Sequence, residues 1–422
     1  MDEKNYRKLF AGINMPIALE NGECIVPINF DNAATTPPLK CVNNSIMENI
    51  LMYGSIGRGK GQKSEYCTDA YEESRGFVLD FLGINRKDLY SVVYVKNTTE
   101  GINLLAKALI KKKEDIIVTS RMEHHANDLP WRREGTVKYI EVDNRGKLDL
   151  CSLEKLFKKY KGRIKVLSIT GASNVTGYIT NIEAISNIAH SYGTKVVVDA
   201  AQLIAHRKIS MEHIDFLVFS AHKMYAPFGS GAVVGLTSDL SSADPLLVGG
   251  GAVEYVLDND VYWDKDSSKC EAGTPNFLGT MGLISAMKSL ISIGYTNIEK
   301  HENEMRDYAL KKMKSIDRMI LYGDPDEKNR LGVIPFNIEG IGHSTVAGKL
   351  ADYRAIFVRH GGFCAHPYVR RLIGFSNEEA YNYLLNGEAM PGMVRASFGL
   401  YNTLEEVDIF IEVLEKILKR HG

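Results

Sequence analysis

The chain has 422 residues, 45% hydrophobic and 24% charged, with a formal net charge of -1 at pH 7. So even a balance gives no electrostatic footprint for nucleic acid or an anionic membrane, while the length is enough for two domains with their own cores. Cys24, Cys41, Cys67, Cys151, Cys270 and Cys364 are scattered without a C-x-x-C pair, which argues against a disulfide scaffold or a zinc site and suits a reducing cytosol.

The charged start, Met1-Asp2-Glu3-Lys4-Asn5, lacks the apolar region of a signal peptide. No apolar stretch is long enough to cross a bilayer. A cytoplasmic protein is expected.

Residues 1–30 read as an irregular arm. They lead into Asp31-Asn32-Ala33-Ala34-Thr35-Thr36-Pro37-Pro38, turn chemistry before a helix. The Gly-rich loop 54–61, which contains Arg58, could hold an anion but lacks Walker spacing, and a flexible linker has the same composition. From about residue 91, strands and helices alternate. Strands are expected at 91–95, 116–118, 137–142, 164–169, 196–198 and 214–219, with a helix at about 100–113. The run Lys111-Lys112-Lys113 reads as a solvated helix end, favoured by the helix dipole. This alternation predicts a mostly parallel sheet covered on both faces. Near residue 295 long helical stretches give way to sparser strands such as 333–338. The chain then closes with an amphipathic helix from Leu404 to Arg420, which Thr403 and Glu406 can cap. Residues 31–294 are expected to form a large domain and 295–422 a smaller α+β domain.

Open α/β sheets bind ligands at the carboxyl ends of their strands, so the polar residues there carry the argument. Lys223 follows the apolar run 214–219, in Ser220-Ala221-His222-Lys223. A desolvated lysine at such a place can become a neutral amine and form a Schiff base. Asn97-Thr98-Thr99-Glu100-Gly101 joins a strand to a helix. Its free N–H groups and two hydroxyls suit a phosphate monoester, although an ordinary Thr N-cap looks alike. Asp199 ends the run 196–198. A carboxylate buried there needs a cationic or donor partner, unless it is only a helix N-cap. Gln202 and Asn174 are neutral donors suited to a phenolate oxygen. His124 can stack on an aromatic ring and handle a proton. Adjacent His124 and His125 cannot both face inward, so at most one is catalytic. A lysine, a carboxylate, an anion cradle and a flat ring are together what pyridoxal phosphate requires.

With these stretches assembled, the sequence resembles the fold-type I pyridoxal-phosphate enzymes of the class V aminotransferase group. Within that group it is most similar to group II cysteine desulfurases and selenocysteine lyases. The resemblance rests on Asp31–Thr36, Thr98–Asn103, Glu123–Asn127, Ser173–Gly177, Asp199–Gln202, Ser220–Lys223, Glu271–Asn276 and Arg395–Thr403, which span nearly the whole chain. It implies that Lys223 bonds the cofactor, Asp199 pairs with the ring nitrogen, Gln202 and Asn174 flank the ring oxygen, and His124 stacks on the ring. Thr98, Thr99, Ser220 and His222 would bind the phosphate. Thr274 would reach the phosphate of a second subunit in a homodimer. Arg395 would clamp the substrate carboxylate, a bidentate task suited to arginine, with Arg359, Asn174 and Arg58 also at the substrate.

The stretch Val358-Arg359-His360-Gly361-Gly362-Phe363-Cys364-Ala365-His366-Pro367 bears on the reaction. A nearby cation would favour the reactive thiolate of Cys364. By position, Cys364 resembles the desulfurase's catalytic cysteine. The resemblance then implies that Lys223 takes the Cα proton of L-cysteine and that Cys364 attacks the substrate sulfur. It keeps the sulfur as a persulfide while alanine leaves, and a partner protein would accept the sulfur. Selenocysteine is an alternative substrate. An aminotransferase, an epimerase or a C–S lyase, with Cys364 a bystander, is the alternative activity. The sequence departs from the family where two His usually precede the cysteine, since Gly362 and Phe363 stand there. In the loop at 54–61, Gly57 and Gly61 likewise replace expected His residues.

Overall fold

A computed structural model describes residues 6–57 and 59–421. Seven strands form the central sheet: β1 (Tyr90–Val95), β2 (Ile116–Ser120), β3 (Thr136–Ile140), β4 (Ile164–Thr170), β5 (Lys195–Asp199), β6 (Phe216–Ser220) and β7 (Gly231–Leu236), in the order β1-β7-β6-β5-β4-β2-β3. The strands from β6 across to β3 pair in parallel, and β7 runs antiparallel to both of its neighbours. The chain is thus an α/β protein with a mostly parallel sheet flanked by helices.

The apolar runs are continuous because both faces of the sheet are covered. Along β6, Leu217 and Phe219 enter one hydrophobic cluster while Phe216 and Val218 enter another. On β5, Val196 and Val198 face the first cluster and Val197 the second. This period-2 split is the pleat itself.

The helices that matter here are α1 (Lys40–Leu51), α2 (Gln62–Phe81), α3 (Thr98–Leu109), α4 (Phe277–Ile293), α5 (Tyr295–Met313), α6 (His366–Leu372) and α7 (Leu404–His421). Helix α3 lies close against the sheet. A Cβ on Gly101 would come within 2.5 Å of Val218 and 2.8 Å of Val233, so only glycine permits this approach, and the start of α3 is drawn to the end of β6. Helices α4 and α5 meet at Gly294 with a bend of 80°. Among the described residues no single helix is long and apolar enough to cross a membrane.

A second hydrophobic core is built around a four-stranded antiparallel sheet, β8 (Met319–Leu321), β9 (Val333–Ile338), β10 (Arg359–Gly361) and β11 (Met393–Ser397), in the order β8-β9-β11-β10. Helices α5 and α7 supply Met305, Leu310, Phe410 and Leu414 to this core. The arm reaches it through Ile28 and Phe30, and Ile28–Asn29 pairs in parallel with Ile356–Phe357. Thr403 and Glu406 cap α7 reciprocally: the Thr403 hydroxyl accepts the Glu406 N–H at 3.3 Å, and the Glu406 carboxylate accepts the Thr403 N–H at 3.2 Å.

Two local readings need correction. The stretch Ala226-Pro227-Phe228-Gly229-Ser230-Gly231, whose composition reads as a loop, runs into a strand, since β7 begins at Gly231 and is the one strand of this sheet antiparallel to its neighbours. The lysine run lies beyond the end of α3 in a turn, where the Lys111 and Lys112 N–H groups donate to Asp115. Lys113 donates to the carbonyls of Arg132 and Arg133 at 2.7 and 2.9 Å, so it caps a neighbouring short helix and not its own.

Candidate active site

The carboxyl ends of β4, β5 and β6, the start of α3 and the loop after β10 surround a cleft of about 320 Å³. Of the side chains singled out from the sequence, all but Thr274 and Arg58 line it. Arg58 lies outside the described residues. Thr274 is exposed in a separate depression with Glu271 and Asn276.

Lys223 closes a single 3-10 turn after β6. Burial lowers its ammonium to about 8, with Arg395 pushing the same way and Asp199 and Cys364 opposing. Asp199 is buried at the end of β5 and accepts the Ala201 N–H at 2.9 Å. Burial raises its carboxyl above the usual range, while that N–H and the Lys223 charge pull it down. His124 accepts the Ala126 N–H on Nδ1 at 3.0 Å, which leaves the ring proton on Nε2. Burial, then the Lys223 charge, lowers it to about 3, so the ring is neutral near pH 7. His125 faces away from the cleft, toward the cysteine loop.

The first turn of α3 opens on the cleft. Asn97 caps it by accepting the Glu100 N–H at 3.0 Å. The Thr98 N–H and hydroxyl both lie 2.8 Å from the Ser220 hydroxyl, which binds the helix start to the end of β6. His222 sits 3.2 Å from the Thr35 hydroxyl and is lowered to about 4, by burial first. Partial positive charge at a helix start, with hydroxyls around it, suits a phosphate.

Two amides anticipated as donors to a ring oxygen each spend one N–H on the protein. Gln202 donates to the Ala33 carbonyl at 2.7 Å, and Asn174 to the Phe363 carbonyl at 2.8 Å. Each amide nitrogen has a second N–H to offer.

The cysteine loop is tightly held. Phe363 and Cys364 have φ of 50° and 51°, two successive left-handed residues without a glycine, a conformation that surrounding contacts must enforce. The contacts are present. The His125 N–H donates to the Cys364 carbonyl at 2.6 Å. Asn174 holds Phe363. On α6, the Tyr368 hydroxyl donates to the Gly146 carbonyl at 2.6 Å and lies 3.1 Å from the Thr176 hydroxyl. His366 packs edge-on against His125 at 4.5 Å. A Cβ on Gly362 would fall 2.4 Å from the His366 ring, so the imidazole of His366 fills the space a side chain at 362 would need. Cys364 itself is exposed at the cleft.

Arg395, on β11, is almost wholly buried. It donates to the Asn174 carbonyl at 2.8 Å and to Asp31 at 3.1 Å, while its Nε has no partner. The ring of Phe363 lies 5.0 Å from its guanidinium carbon. Burial lowers this guanidinium to about 10. The second oxygen of Asp31 pairs with Arg359 at 2.8 Å.

Sequence reasoning missed the roles of Asp31, Phe363, Tyr368 and Glu123. Asp31 stands at the head of a recognised stretch, but its arginine partners are more than 300 positions away. Glu123 is buried beside His124, where it accepts the Ser120 hydroxyl at 2.5 Å and the Asn127 amide at 2.7 Å, and burial raises it to about 8.

The cleft's donor set fits pyridoxal phosphate. It offers a lysine with a lowered pKa, a buried carboxylate without a cationic hydrogen-bond partner, a neutral flat ring and an anion-binding helix start.

Comparison with known proteins agrees. The family model for "Aminotransferase class-V" matches residues 28–410. A probable cysteine desulfurase of Pyrococcus abyssi is 35% identical over 93% of this chain and 94% of its own length. A cysteine desulfurase of Wigglesworthia glossinidia brevipalpis is 33% identical over 93% of each. Among solved structures, the apo cysteine desulfurase from Thermococcus onnurineus NA1 has a TM-score of 0.82 at 34% identity, covering 93% of this chain and 95% of that one. A cysteine desulfurase from Escherichia coli, in an S-sulfonic acid form, has a TM-score of 0.80 at 26% identity, covering 99% and 98%.

Proposed function

The chain belongs to the class-V aminotransferase family, and we propose that it is a pyridoxal-phosphate-dependent cysteine desulfurase that moves sulfur from L-cysteine to Cys364 and releases L-alanine. The observation that carries this reading is the shared cleft of Lys223 and Cys364, with the cysteine loop held rigidly at its mouth.

Pyridoxal phosphate bound at Lys223 supplies an electron-withdrawing ring that acidifies the Cα–H bond of an attached amino acid. Asp199 would hold a proton on the ring nitrogen, and His124 would cover the ring face. Gln202 and Asn174 would offer N–H groups to the ring oxygen, and Thr98, Thr99, Ser220 and His222 would take the phosphate. Arg395, with Arg359, takes the α-carboxylate and orients the Cα–H bond. Lys223, released from the cofactor as the substrate amine takes its place, would remove the Cα proton as a neutral amine. The thiolate of Cys364 attacks the substrate sulfur. A sulfur–sulfur bond forms as the carbon–sulfur bond breaks, the bond pair returns to Cβ, Cβ is protonated, and Lys223 returns the proton to Cα, giving alanine and a persulfide on Cys364.

In this reading residues 1–30 are an arm whose described part packs on the first core through Phe10 and on the second through Ile28 and Phe30, residues 31–294 hold the cofactor, and residues 295–422 carry the cysteine. The exposure of Cys364 supports sulfur transfer to an acceptor protein. A homodimer is supported by the hairpin Val253–Val256 and Val261–Trp263, which exposes Tyr255, Val256, Val261, Tyr262 and Trp263, an apolar surface that a second copy would cover. Thr274 would then serve the partner's cleft. All six cysteines are free thiols, which suits the cytoplasm. Selenocysteine, with a more labile carbon–selenium bond, is an additional candidate substrate.

The test is paired measurement of alanine and sulfide from L-cysteine, with a reductant, for the wild type and Cys364→Ser. Equal release by the wild type and none by the variant supports the reading. Pyruvate and ammonia from the wild type would instead identify a C–S lyase with Cys364 a bystander. Absence of turnover would direct the search to other amino acids.

A further inference from the structure

The loop that carries Cys364 leaves the second sheet at β10 and ends on the first core, where Ala365, Tyr368 and Val369 are buried. Tyr368 is 0% exposed, and its hydroxyl reaches two loops of the central sheet. It donates to the carbonyl of Gly146, on the turn after β3, at 2.6 Å, and lies 3.1 Å from the hydroxyl of Thr176, on the loop after β4. The Gly146 turn is itself fixed. Its N–H donates to the Asp143 carbonyl at 3.0 Å, and the Asp143 carboxylate accepts the Arg145 and Lys147 N–H groups, each at 2.9 Å. A Cβ on Gly146, whose φ is 79°, would fall 2.5 Å from the phenol oxygen, so the turn is a socket shaped to that oxygen. Tyr368 stands one turn of chain beyond Cys364, and its N–H and that of Val369 both donate to the Ala365 carbonyl at 3.0 Å. The hydroxyl therefore sets the direction in which the chain leaves Cys364.

We propose that Tyr368 is a positioning residue for sulfur transfer: its hydroxyl pins α6 to the central sheet and so holds the Cys364 thiol where it meets the substrate sulfur. The role rests on the desulfurase reading. His125 and Asn174 hold the carbonyls of Cys364 and Phe363, but these bonds leave the segment beyond them to α6. Phe363 and Cys364 are both left-handed, a conformation that relaxes once an anchor is lost. Tyr368→Phe keeps the buried ring and deletes only the hydroxyl. Displacing a reacting atom by about 1 Å costs on the order of a hundredfold in rate. Removal of the Cα proton is a separate step. It uses Lys223, which follows β6 of the central sheet, and makes no use of the Cys364 sulfur. The two steps therefore respond differently to the loss of one oxygen.

The experiment compares the wild-type, Tyr368→Phe and Thr176→Ala holoenzymes. Mixing with L-cysteine in the absence of a reductant gives the rate of the alanine burst, which reads sulfur transfer to Cys364. Incubation with L-alanine in heavy water gives the rate of Cα deuteration, which reads proton removal alone. Amide hydrogen exchange of residues 361–372 reads the anchoring of the loop and depends on no reaction. Tyr368→Phe is expected to slow the burst at least tenfold, to leave Cα deuteration within twofold of wild type, and to speed amide exchange of the segment at least fivefold. Thr176→Ala leaves Tyr368 in place and removes one partner of its hydroxyl. It is expected to slow the burst at least threefold with Cα deuteration unchanged, and it carries the test if Tyr368→Phe fails to fold. An unchanged burst or unchanged amide exchange overturns the proposal. Equal losses in burst and deuteration also overturn it, because they mark a general structural role. If the wild type deuterates L-alanine but makes no alanine from L-cysteine, the desulfurase reading fails and the role of Tyr368 in sulfur transfer fails with it. If the wild type gives the burst and Tyr368→Phe gives the same burst, only the role of Tyr368 fails.

Discussion

Asn174 donates its side-chain amide to the carbonyl of Phe363 at 2.8 Å, and its own carbonyl accepts from Arg395 at 2.8 Å. One residue on the loop after β4 thus fixes both the backbone just before the cysteine and a buried arginine that lines the cleft. Asn174→Ala is expected to lower alanine production from L-cysteine at least tenfold. The lost hydrogen bond costs about 1 kcal/mol of stability, readable by urea denaturation, while cofactor affinity changes by less than the turnover does.

Lys223 gives a pH dependence with a definite sign. With the ammonium lowered to about 8, the neutral amine grows tenfold per pH unit below 8 and levels off above it. The initial rate at which apoprotein takes up pyridoxal phosphate should follow that curve. His124, at about 3, contributes no titration between pH 5 and 9. A midpoint near 10.5 would mean that Lys223 is not desolvated.

Glu123 is the opposite case, an acid whose folded-state pKa is raised, to about 8 from 4.5. The native state then binds the proton more tightly than the unfolded state between those values. Stability is fully present below about 4.5 and is lost as pH rises through 8. The loss is about 1.4 kcal/mol per pH unit in that window. Glu123→Gln removes the titration. The wild type is expected to lose stability relative to this variant between pH 5 and 8, measured by denaturation at each pH.

Glu271 anchors the stretch that carries Thr274. Its carboxylate accepts from Arg75 at 2.6 and 3.0 Å, from the Tyr71 hydroxyl at 2.8 Å and from the Tyr94 N–H at 2.7 Å. Glu271→Ala leaves Arg75 without its most buried partner, since Glu72 is largely exposed. A loss of about 3 kcal/mol is expected, the low end for breaking a buried pair. Thermal unfolding would measure it, and an unchanged midpoint would show that the existing pair of Arg75 with Glu72, at 3.0 Å, suffices.

The sequence by itself determined the parts that depend on neighbours. Hydrophobic runs bounded by turn residues specify strands, so β1 to β6 were legible, as was the placement of Lys223 and Asp199 at strand ends. The cap of α7 by Thr403 and Glu406 is a three-residue pattern and could be read directly. Strand β7 was hidden because its glycines serve close packing while resembling a loop. Tertiary structure alone decided which distant groups meet. Asp31 finds Arg395 only because the parallel sheet and the second core bring the two ends of the chain together. His366 takes the space at Gly362 because α6 turns back across the loop. Thr274 lies apart from the cleft because its loop is held on Glu271, Arg75 and Tyr71. Periodicity and turn chemistry are local and written in order along the chain, whereas charge pairing across 364 positions depends on topology and on the cost of burying an arginine alone.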